Sequence, residues 1–509
     1  MNTKIVESPI SDDGRPWEAF GPTWIEVDLD VLEANLAAVA AYVRRPRPEE
    51  AVRFIERHGL RRPDGPPRLL VVVKADGYGH GAVEAAQAAL RAGADMLGVA
   101  TVLEGLELRH AGVEAPVLVF NPLTPAEAGT VVRAGLTPTV TSPEAVRALA
   151  GAVQEAAAGP AAGGFPVHIS VDCGMSRWGV QPEKAAEMAR LVVGAGVLLV
   201  EGLYTHFPAG AERGPARVAL MRSQLETFAG AVAAVEAEGV EIPLRHAACS
   251  SAIVALPESH LDMVRVGNLF YGFLPRADGL GGRVSGDGDT RGLPEVREAW
   301  SFVTRVLEVR EVPAGTGVGY GPDVTVRRRT RLATVPVGYA DGVGAEVMAG
   351  AGRLRTRLVR LLRVVLRWLD RRGLLVGPLA GLKAQAEALS LFFHEGRPVE
   401  TVGRISMQQT VLDVTDRPEI KVGSVVHVQA KRVLASPRLG RVYYSGGRAV
   451  RARITAGMAE AAAGWAAVPG PAAGSFPGRA PVGAPVRASV HAPDAGVRDA
   501  RAGVVLGKG

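Results

Sequence analysis

The sequence predicts an α/β protein in which an N-terminal (β/α)8 TIM-type barrel is followed by a smaller, mostly β domain. Between about residues 69 and 272, short apolar runs alternate with helix-like stretches, a pattern typical of strands joined by helices. The runs number eight, which is the strand count of such a barrel. After about residue 273 the texture changes to β-branched runs broken by Gly and Pro, which indicates a separate β domain.

The predicted barrel strands are short apolar runs, separated by helix-like segments such as Gly81–Ala92 and Arg217–Gly239. In chain order the strands are Leu70–Val73, Met96–Ala100, Val117–Phe120, Thr137–Thr141, Val167–Val171, Val200–His206, Leu244–Ala248 and Met263–Val266. Active sites of this fold lie at the carboxyl ends of the strands. The unusual residues at or near those ends are Lys74, Asp172, His206, His246 and Arg265.

The rest of the chain is divided by composition. The predicted parts are a flexible N-terminus (1–21), the barrel (22–272) with an insertion at 46–67, the β domain (273–450) with an insertion at 346–396, and a disordered tail (464–509). Before the barrel core, Trp24–Asp28 is a strand candidate and Leu29 to about Val43 a helix. In the β domain, the strand candidates are Val303–Val312, Arg331–Pro336, Val399–Val402 and Ser424–Gln429.

The second insertion contains a basic amphipathic helix, with arginines between Arg353 and Arg372 on one face. Such a helix could contact a membrane or an acidic partner. A solvated helix with one packed face is the preferred interpretation.

Composition favours a cytoplasmic enzyme. Of 509 residues, 47% are apolar and 22% charged, as in soluble globular proteins. No apolar stretch is long enough to span a membrane, and the N-terminus lacks the pattern of a secretory signal. Two cysteines, Cys173 and Cys249, are too few for a disulfide framework. The net charge of +6 is modest and aromatic residues are scarce, so no nucleic-acid partner is predicted. No metal site is predicted either.

The most informative segment is the octet Lys74-Ala75-Asp76-Gly77-Tyr78-Gly79-His80-Gly81, which follows the apolar run Leu69–Val73. A partly buried amine is costly unless its pKa falls, and a lowered pKa is what an imine-forming lysine needs. The glycines allow the backbone to approach a ligand closely. A lone lysine would be interpreted as a snorkelling side chain before a turn. The whole octet favours a cofactor-binding lysine.

Together with other collinear motifs, this octet resembles bacterial alanine racemase, and the match runs from about residue 22 to 450. The motifs are Trp24–Asp30, the Lys74 octet, Asp172–Arg177, Thr205–Phe207, Met263–Gly267 with Tyr271 and Gly272, Gly319–Gly321, Gly338–Gly342 and Val402–Met407. The resemblance implies a fold-type III homodimer that uses pyridoxal 5'-phosphate (PLP). It also implies interconversion of L-alanine and D-alanine, which supplies D-alanine for cell-wall peptidoglycan.

The resemblance also implies roles for individual residues. Lys74 would hold PLP as a Schiff base and act as one base, and Tyr320 of the other subunit would be the second base. Arg265 would bond to the pyridine nitrogen. The cofactor-binding set implied is Lys74, Tyr78, His206, His246, Ser250, Arg265, Gly267 and Asn268, with Tyr78, Ser250 and Asn268 on the phosphate. The substrate carboxylate would be bound by Tyr339 and the Met407 N–H and supported by Arg177.

The chemistry needs such residues whatever the family. Racemisation removes a proton from one face of a carbon and returns one to the other, so two bases must flank it. PLP is the electron sink, and the protein chooses the reaction. An arginine at the pyridine nitrogen discourages protonation there, which disfavours transamination. Each residue also has a structural interpretation: Tyr320 and Tyr339 as turn aromatics, Arg265 as an ion-pair residue, His206 and His246 as interior histidines.

The chain departs from the family at several positions. Ser170 replaces a lysine that becomes carbamylated in many members and orients the arginine, so Arg177 needs another partner. The other departures are Cys249, Asn268, Gln408 and Pro437, and a helix expected between Val428 and Leu434 is missing.

Three alternatives stay open. One is a racemase of another small amino acid such as serine, and another is a PLP-binding protein without turnover. The third is a PLP lyase on the same barrel, such as a D-threonine-type aldolase or a basic-amino-acid decarboxylase. Tyr320 between glycines and the Gly338–Gly342 motif argue against the lyases.

Overall fold

The computed structural model describes eight segments of the chain: residues 21–63, 65–156, 164–208, 214–273, 294–321, 324–344, 390–430 and 432–453. The predicted basic helix and the tail from residue 464 lie outside the described residues, as does the N-terminus up to residue 20. No helix among the described segments is long and apolar enough to cross a membrane.

The first element of the described residues is strand β1 (Thr23–Asp28), and a barrel of eight parallel strands follows it. The barrel strands are β2 (Arg68–Val72), β3 (Met96–Val99), β4 (Val117–Pro122), β5 (Thr137–Val140), β6 (Phe165–Ser170), β7 (Leu198–Tyr204), β8 (Leu244–His246) and β9 (Met263–Val266). Their order in the sheet is β8-β7-β6-β5-β4-β3-β2-β9. The predicted (β/α)8 barrel and all eight of its strands are therefore confirmed, with ends that shift by a few residues.

Two helices lie between β1 and β2, and others follow most barrel strands, as the parallel connections require. They are α1 (Leu29–Val43), α2 (Glu49–Arg57), α3 (Ala82–Arg91), α4 (Val102–His110), α5 (Ala128–Arg133), α6 (Pro143–Glu155), α7 (Ala185–Gly194), α8 (Gly214–Ala237) and α9 (Ser250–Ala255). Helix α2 occupies the predicted insertion at 46–67. Its apolar residues Phe54 and Ile55 are buried in the main core.

The barrel closes between β8 and β9, which lie at the two ends of the strand order. Two backbone hydrogen bonds cross this seam: Asp262 N–H donates to the Arg245 carbonyl (3.1 Å) and Arg265 N–H to the Ala248 carbonyl (2.9 Å). A buried ion pair reinforces them, with Arg245 Nε 2.6 Å and Nη2 3.1 Å from the two oxygens of Asp262. Arg245 is fully buried, so the carboxylate compensates a charge that has lost its water.

The second sheet contains ten strands in the order β11-β12-β15-β14-β13-β16-β10-β1-β17-β18. After β1 these are β10 (Trp300–Arg305), β11 (Glu308–Val312), β12 (Thr330–Val335), β13 (Phe392–His394), β14 (Arg397–Val402), β15 (Thr410–Asp413), β16 (Val425–Val428), β17 (Gly440–Ser445) and β18 (Arg448–Arg453). The predicted β domain is confirmed.

Three details of this sheet differ from the sequence analysis. Strand β1 pairs with β10 and β17. It therefore belongs to the second sheet, whereas the sequence analysis had included it in the barrel range 22–272. The predicted run Val303–Val312 is two strands, because it turns at Val306 and Leu307 and then pairs with β12. Strand β13 lies inside the predicted insertion at 346–396 and pairs with β14 and β16.

Replacing Asp262 with Ala should strongly destabilise the barrel, because it leaves the Arg245 guanidinium buried at the seam without its main counter-charge. Removing one partner of a buried pair costs about 3–5 kcal/mol. Urea unfolding measures the loss. Glu144→Ala, which removes an exposed ion pair with Arg147, is the control and should change the free energy of unfolding little. Equal stability of the two variants would contradict the role given to the seam.

Candidate active site

A cavity of about 250 Å³ opens at the carboxyl ends of the barrel strands. Eight predicted site residues line it: Lys74, Tyr78, Arg177, His206, Ser250, Arg265, Gly267 and Asn268. They come from β9 and from the segments that follow β2, β6, β7, β8 and β9, which are far apart in sequence. The barrel therefore brings them together at the rim, where enzymes of this fold carry their sites.

Lys74 begins a left-handed turn that follows β2. Ala75, Asp76 and Tyr78 have φ of 52°, 52° and 53°, a conformation that costs a non-glycine residue roughly 1–2 kcal/mol. The turn is held by backbone bonds such as Gly77 N–H to the Val73 carbonyl (2.9 Å) and by Glu104, which accepts from Ala75 N–H (2.8 Å). Because residues that hold such strain cluster at functional sites, the turn supports a special role for Lys74.

The pKa of Lys74 is lowered. Burial is the largest cause, the positive charge of Arg177 adds to it, and Glu104 opposes it in part. A lower pKa increases the fraction of the amine that is neutral near pH 7, and a neutral amine is the nucleophile and the base. The environment of Lys74 therefore suits an imine-forming lysine.

Arg265 is buried and held from several sides. Its Nη1 donates to His246 Nδ1 and to the His246 carbonyl, each at 3.0 Å. Its Nη2 donates to the carbonyls of Thr205 (2.7 Å) and Ala247 (3.0 Å) and lies 3.3 Å from His206 Nδ1. Among the described residues nothing bonds to Nε, so this donor is free for a ligand in the cavity.

Behind Arg265, a hydrogen-bonded chain crosses the barrel interior. His246 Nε2 lies 2.9 Å from His168 Nδ1, and His168 Nε2 lies 3.2 Å from a carboxylate oxygen of Glu201. Because His246 Nδ1 accepts from Arg265, its proton sits on Nε2, and His168 donates in turn to Glu201. The chain thus fixes His246 as an acceptor toward Arg265 and His168 as an acceptor toward His246.

The sequence analysis predicted His246 but missed His168 and Glu201. One signal was available in the sequence. His168 stands in the apolar strand β6, where a buried polar side chain needs a hydrogen-bonding partner. Gly202 also belongs to this arrangement, since a Cβ there would lie 2.6 Å from the His168 ring. A sequence motif does not indicate such a contact, because His168 and Gly202 lie on two neighbouring strands.

A small polar cradle lies beside Tyr78. The Ser250 hydroxyl accepts from the amides of Gly267 (3.0 Å) and Leu269 (3.3 Å). A Cβ at Gly267 would lie 3.0 Å from Tyr78 Oη, so only glycine leaves this space open. Burial raises the pKa of Tyr78 to about 12, which keeps its hydroxyl protonated as a donor.

Arg177 has a different partner from the one that the family suggests. Its guanidinium lies 3.9 Å from the centre of the Trp178 ring, within the range of a cation–π contact. Ser170 is buried nearby and lines the cavity with both residues. The Trp178 indole is therefore a contact that can orient Arg177 in this chain, where Ser170 replaces the family's lysine.

Four predicted site residues do not line this cavity: His246, which lies behind Arg265, and Tyr320, Tyr339 and Met407 on the β domain. Tyr320, Tyr339 and Met407 are 76%, 47% and 58% exposed. They form one surface on the β domain, because Tyr339 N–H donates to the Ser406 carbonyl (3.1 Å) and Gly319 packs against Gly403. We call Tyr320, Tyr339 and Met407 the exposed cluster. Large exposed apolar and aromatic side chains of this kind mark interaction surfaces.

A TIM-type barrel with a partly buried lysine of lowered pKa at its rim, followed by a separate β domain, defines the class of protein. Family profiles agree: "Alanine racemase, N-terminal domain" matches residues 52–275 and "Alanine racemase, C-terminal domain" matches residues 299–361. An alanine racemase of Desulfovibrio desulfuricans is 33% identical over 408 residues, covering 80% of this chain and 88% of that protein. The chain belongs to the alanine racemase family.

Further relatives agree with this assignment. An alanine racemase of Symbiobacterium thermophilum is 38% identical over 326 residues, covering 64% of this chain and 76% of that protein. The crystal structure of alanine racemase from D-cycloserine-producing Streptomyces lavendulae is similar in fold, with a TM-score of 0.64 and 26% identity. That match covers 84% of this chain and 97% of the other.

Stability should fall as the pH drops below about 6.5, because several buried histidines are neutral in the folded protein. Burial, followed by the charges of Arg265, Arg177 and Lys74, lowers the pKa of His206 to about 3. Burial also lowers that of His260 to about 4, and those of His80 and His246 lie well below 6.5. The unfolded chain therefore binds protons that the folded protein does not, and each histidine costs roughly 1.4 kcal/mol per pH unit.

Urea unfolding at pH 7, 6 and 5 measures this effect. We expect a steady loss of the free energy of unfolding over that range. A free energy that stays constant between pH 7 and 5 would contradict the neutral, buried state of these histidines.

Proposed function

We propose that this protein is a PLP-dependent alanine racemase that interconverts L-alanine and D-alanine with two bases, Lys74 and Tyr320. The observation that carries the proposal is Lys74 at the barrel rim, with a lowered pKa, in one cavity with Arg265 and the polar cradle of Tyr78, Ser250 and Gly267. The reaction would supply D-alanine for peptidoglycan. A cytoplasmic location stays a prediction from the sequence.

The residues of the cavity fit PLP. The Tyr78 hydroxyl, the Ser250 hydroxyl and the open space at Gly267 suit a phosphate, with Asn268 beside them. Arg265 offers its free Nε to a ring nitrogen, and Lys74 offers its amine to the aldehyde. When bound, PLP supplies an electron sink for removal of the α-proton.

Arg265 determines which protonation state is favoured at the ring nitrogen. The guanidinium is always charged and only donates, so it favours a ring nitrogen that accepts. Its position is fixed by His246 and by the carbonyls of Thr205 and Ala247. The chain from His246 through His168 to Glu201 prevents His246 from turning its proton toward Arg265. This arrangement limits the acidity of the substrate carbon and suits proton return over transamination.

The second base is proposed to come from another copy of the chain. Lys74 lies in the barrel cavity, whereas Tyr320 lies on the exposed cluster. In a two-fold dimer the same patch of each subunit meets its partner, so the exposed cluster of one subunit can complete the cavity of the other. Tyr320 would then stand opposite Lys74, and Tyr339 and the Met407 N–H would bind the substrate carboxylate together with Arg177.

The direct test is chiral chromatography of L-alanine incubated with the purified protein and PLP, beside a Lys74→Ala variant. We expect D-alanine from the wild type and none above background from the variant, because the variant lacks the amine that binds the cofactor and moves the proton. A parallel incubation with L-serine tests the wider substrate range. Bound PLP without any D-alanine or D-serine would overturn the proposal in favour of a binding protein.

Replacing Tyr320 with Phe should reduce racemisation by at least about 10²-fold, the range typical of a lost general acid or base. The visible absorbance of the lysine-bound cofactor should persist, because the residues proposed to hold the cofactor all belong to the barrel and not to the exposed cluster. Tyr42→Phe, a change on the outer helix α1, is the control and should leave the rate unchanged. Normal activity in Tyr320→Phe would remove this residue from the mechanism.

A further inference from the structure

A network of three arginines and three carboxylates joins the last two strands of the second sheet to the barrel. The arginines are Arg441 on β17 and Arg451 and Arg453 on β18, and the carboxylates are Asp76, Glu84 and Glu107. The charges of the two sides are equal in number. Asp76 lies in the turn that begins at Lys74, so the network reaches the proposed reactive lysine directly.

Asp76 is the centre of the network. One carboxylate oxygen accepts from Arg453 Nη1 (2.9 Å) and from the Ala82 N–H (3.0 Å), and the other lies 2.9 Å from Arg441 Nη2. Arg441 also donates through Nε to the Gly79 carbonyl (3.0 Å). The left-handed turn is therefore held at its side chain and at its backbone by residues more than 350 positions away.

The two arginines need this carboxylate as much as the turn needs them. Arg441 and Arg453 are directly opposite each other in the antiparallel β17–β18 pair, and like charges at such positions repel. Their side chains are only 3% and 13% exposed, so water screens the repulsion poorly. Asp76 lies between them and neutralises part of both charges.

A second layer of carboxylates completes the compensation. Glu107 accepts from Arg453 Nη2 at 2.9 Å. Glu84, buried in helix α3, lies 3.6 Å from Arg451 and 3.8 Å from Arg453. Both carboxylates belong to barrel helices, so docking of β17 and β18 onto the barrel is tied to the same charges.

The backbones also come very close at this joint. A Cβ at Gly79 would collide with the carbonyl oxygen of Arg432, and one at Gly81 with the hydroxyl of Tyr443. Both glycines have positive φ, of 86° and 97°. The turn therefore fits into the second sheet without space for adjustment.

We propose that Arg441 and Arg453 are positioning residues, which hold the Lys74–Tyr78 turn in its left-handed conformation through Asp76. This inference rests on the proposed function for the identity of Lys74 as the cofactor lysine. It makes the last strands of the second sheet part of the apparatus that sets the geometry of Lys74 and Tyr78. Neither arginine lines the cavity, so their effect acts through the turn.

The test compares Arg453→Met with Arg448→Met on the full chain. Methionine keeps most of the apolar stem in both, and Arg448 is exposed on the same strand. Hydrogen exchange of the amides of residues 75–81 reports the turn without any cofactor. Fluorescence titration of the apoprotein with PLP reports the cavity.

For Arg453→Met we expect exchange in residues 75–81 and the Kd for PLP each to rise by about tenfold or more, as when a buried charge loses its partner. Arg448→Met should match the wild type. Arg453→Lys should restore part of the protection from exchange and part of the PLP affinity. Lysine keeps the positive charge but lacks the forked guanidinium that bonds to two carboxylates. Unchanged exchange and affinity in Arg453→Met, or equal losses in Arg448→Met, would overturn the inference.

Asp76→Asn covers the case in which Arg453→Met fails to fold. It keeps the shape of the side chain and removes only the charge, and the same rise in local exchange is expected. An Asp76→Asn protein with wild-type exchange in the turn would also overturn the inference. The two proposals can also fail separately. If the wild-type protein binds no PLP, but the Asp76→Asn variant exchanges the amides of the turn faster than the wild type, the proposed function is refuted and the positioning role is supported.

Discussion

The closure of the barrel at the seam between β8 and β9 is the constraint on which the rest of the site depends. These strands are neighbours in space and share only a short set of backbone bonds. The buried pair of Arg245 and Asp262 reinforces their contact near the amino ends. At the carboxyl ends, β8 carries His246 and β9 carries Arg265. Arg265 Nη1 lies 3.0 Å from His246 Nδ1. Because β9 also pairs with β2, the same closure places Arg265 beside the strand that ends at Lys74.

The cavity that results is strongly cationic. Its lining contains Lys74, Arg177 and Arg265, and among the described lining residues the only carboxylate is Asp172. One oxygen of Asp172 already accepts from the amides of Gly174, Met175 and Ser176 at 2.9–3.0 Å. One carboxylate cannot offset all of these basic groups, so the site favours anionic ligands such as a phosphate and an amino-acid carboxylate. Burial and then the charge of Arg177 lower the pKa of Lys74 in this cavity.

The barrel could be predicted from the sequence because each strand is a local apolar run, and the rim residues followed from the strand ends. Long-range pairing could not be predicted in this way. Strand β1 has the same apolar character as a barrel strand, but its partner β17 is about 400 residues away in the chain. The break after β10 was hidden because Val306 and Leu307 continue the apolar run without a Gly or Pro.

Within the site, the residues with a motif could be predicted and those that act through another residue could not. Lys74, Tyr78 and Arg265 belong to unusual local patterns. His168 and Glu201 are recognisable only once β6, β7 and β8 lie side by side. Asp76 stands in the octet, but its partners Arg441 and Arg453 could be found only from the packing of the two sheets.

The central claim is that a complete site combines Lys74 of one subunit with Tyr320 of another. The most direct measurement is the activity of mixed dimers assembled from Lys74→Ala and Tyr320→Phe subunits, each inactive alone. If Tyr320 acts across the interface, a mixed dimer contains one intact site, and random assembly should restore about a quarter of the wild-type activity. If mixed dimers form but stay inactive, both residues must act within one subunit, and the account is contradicted.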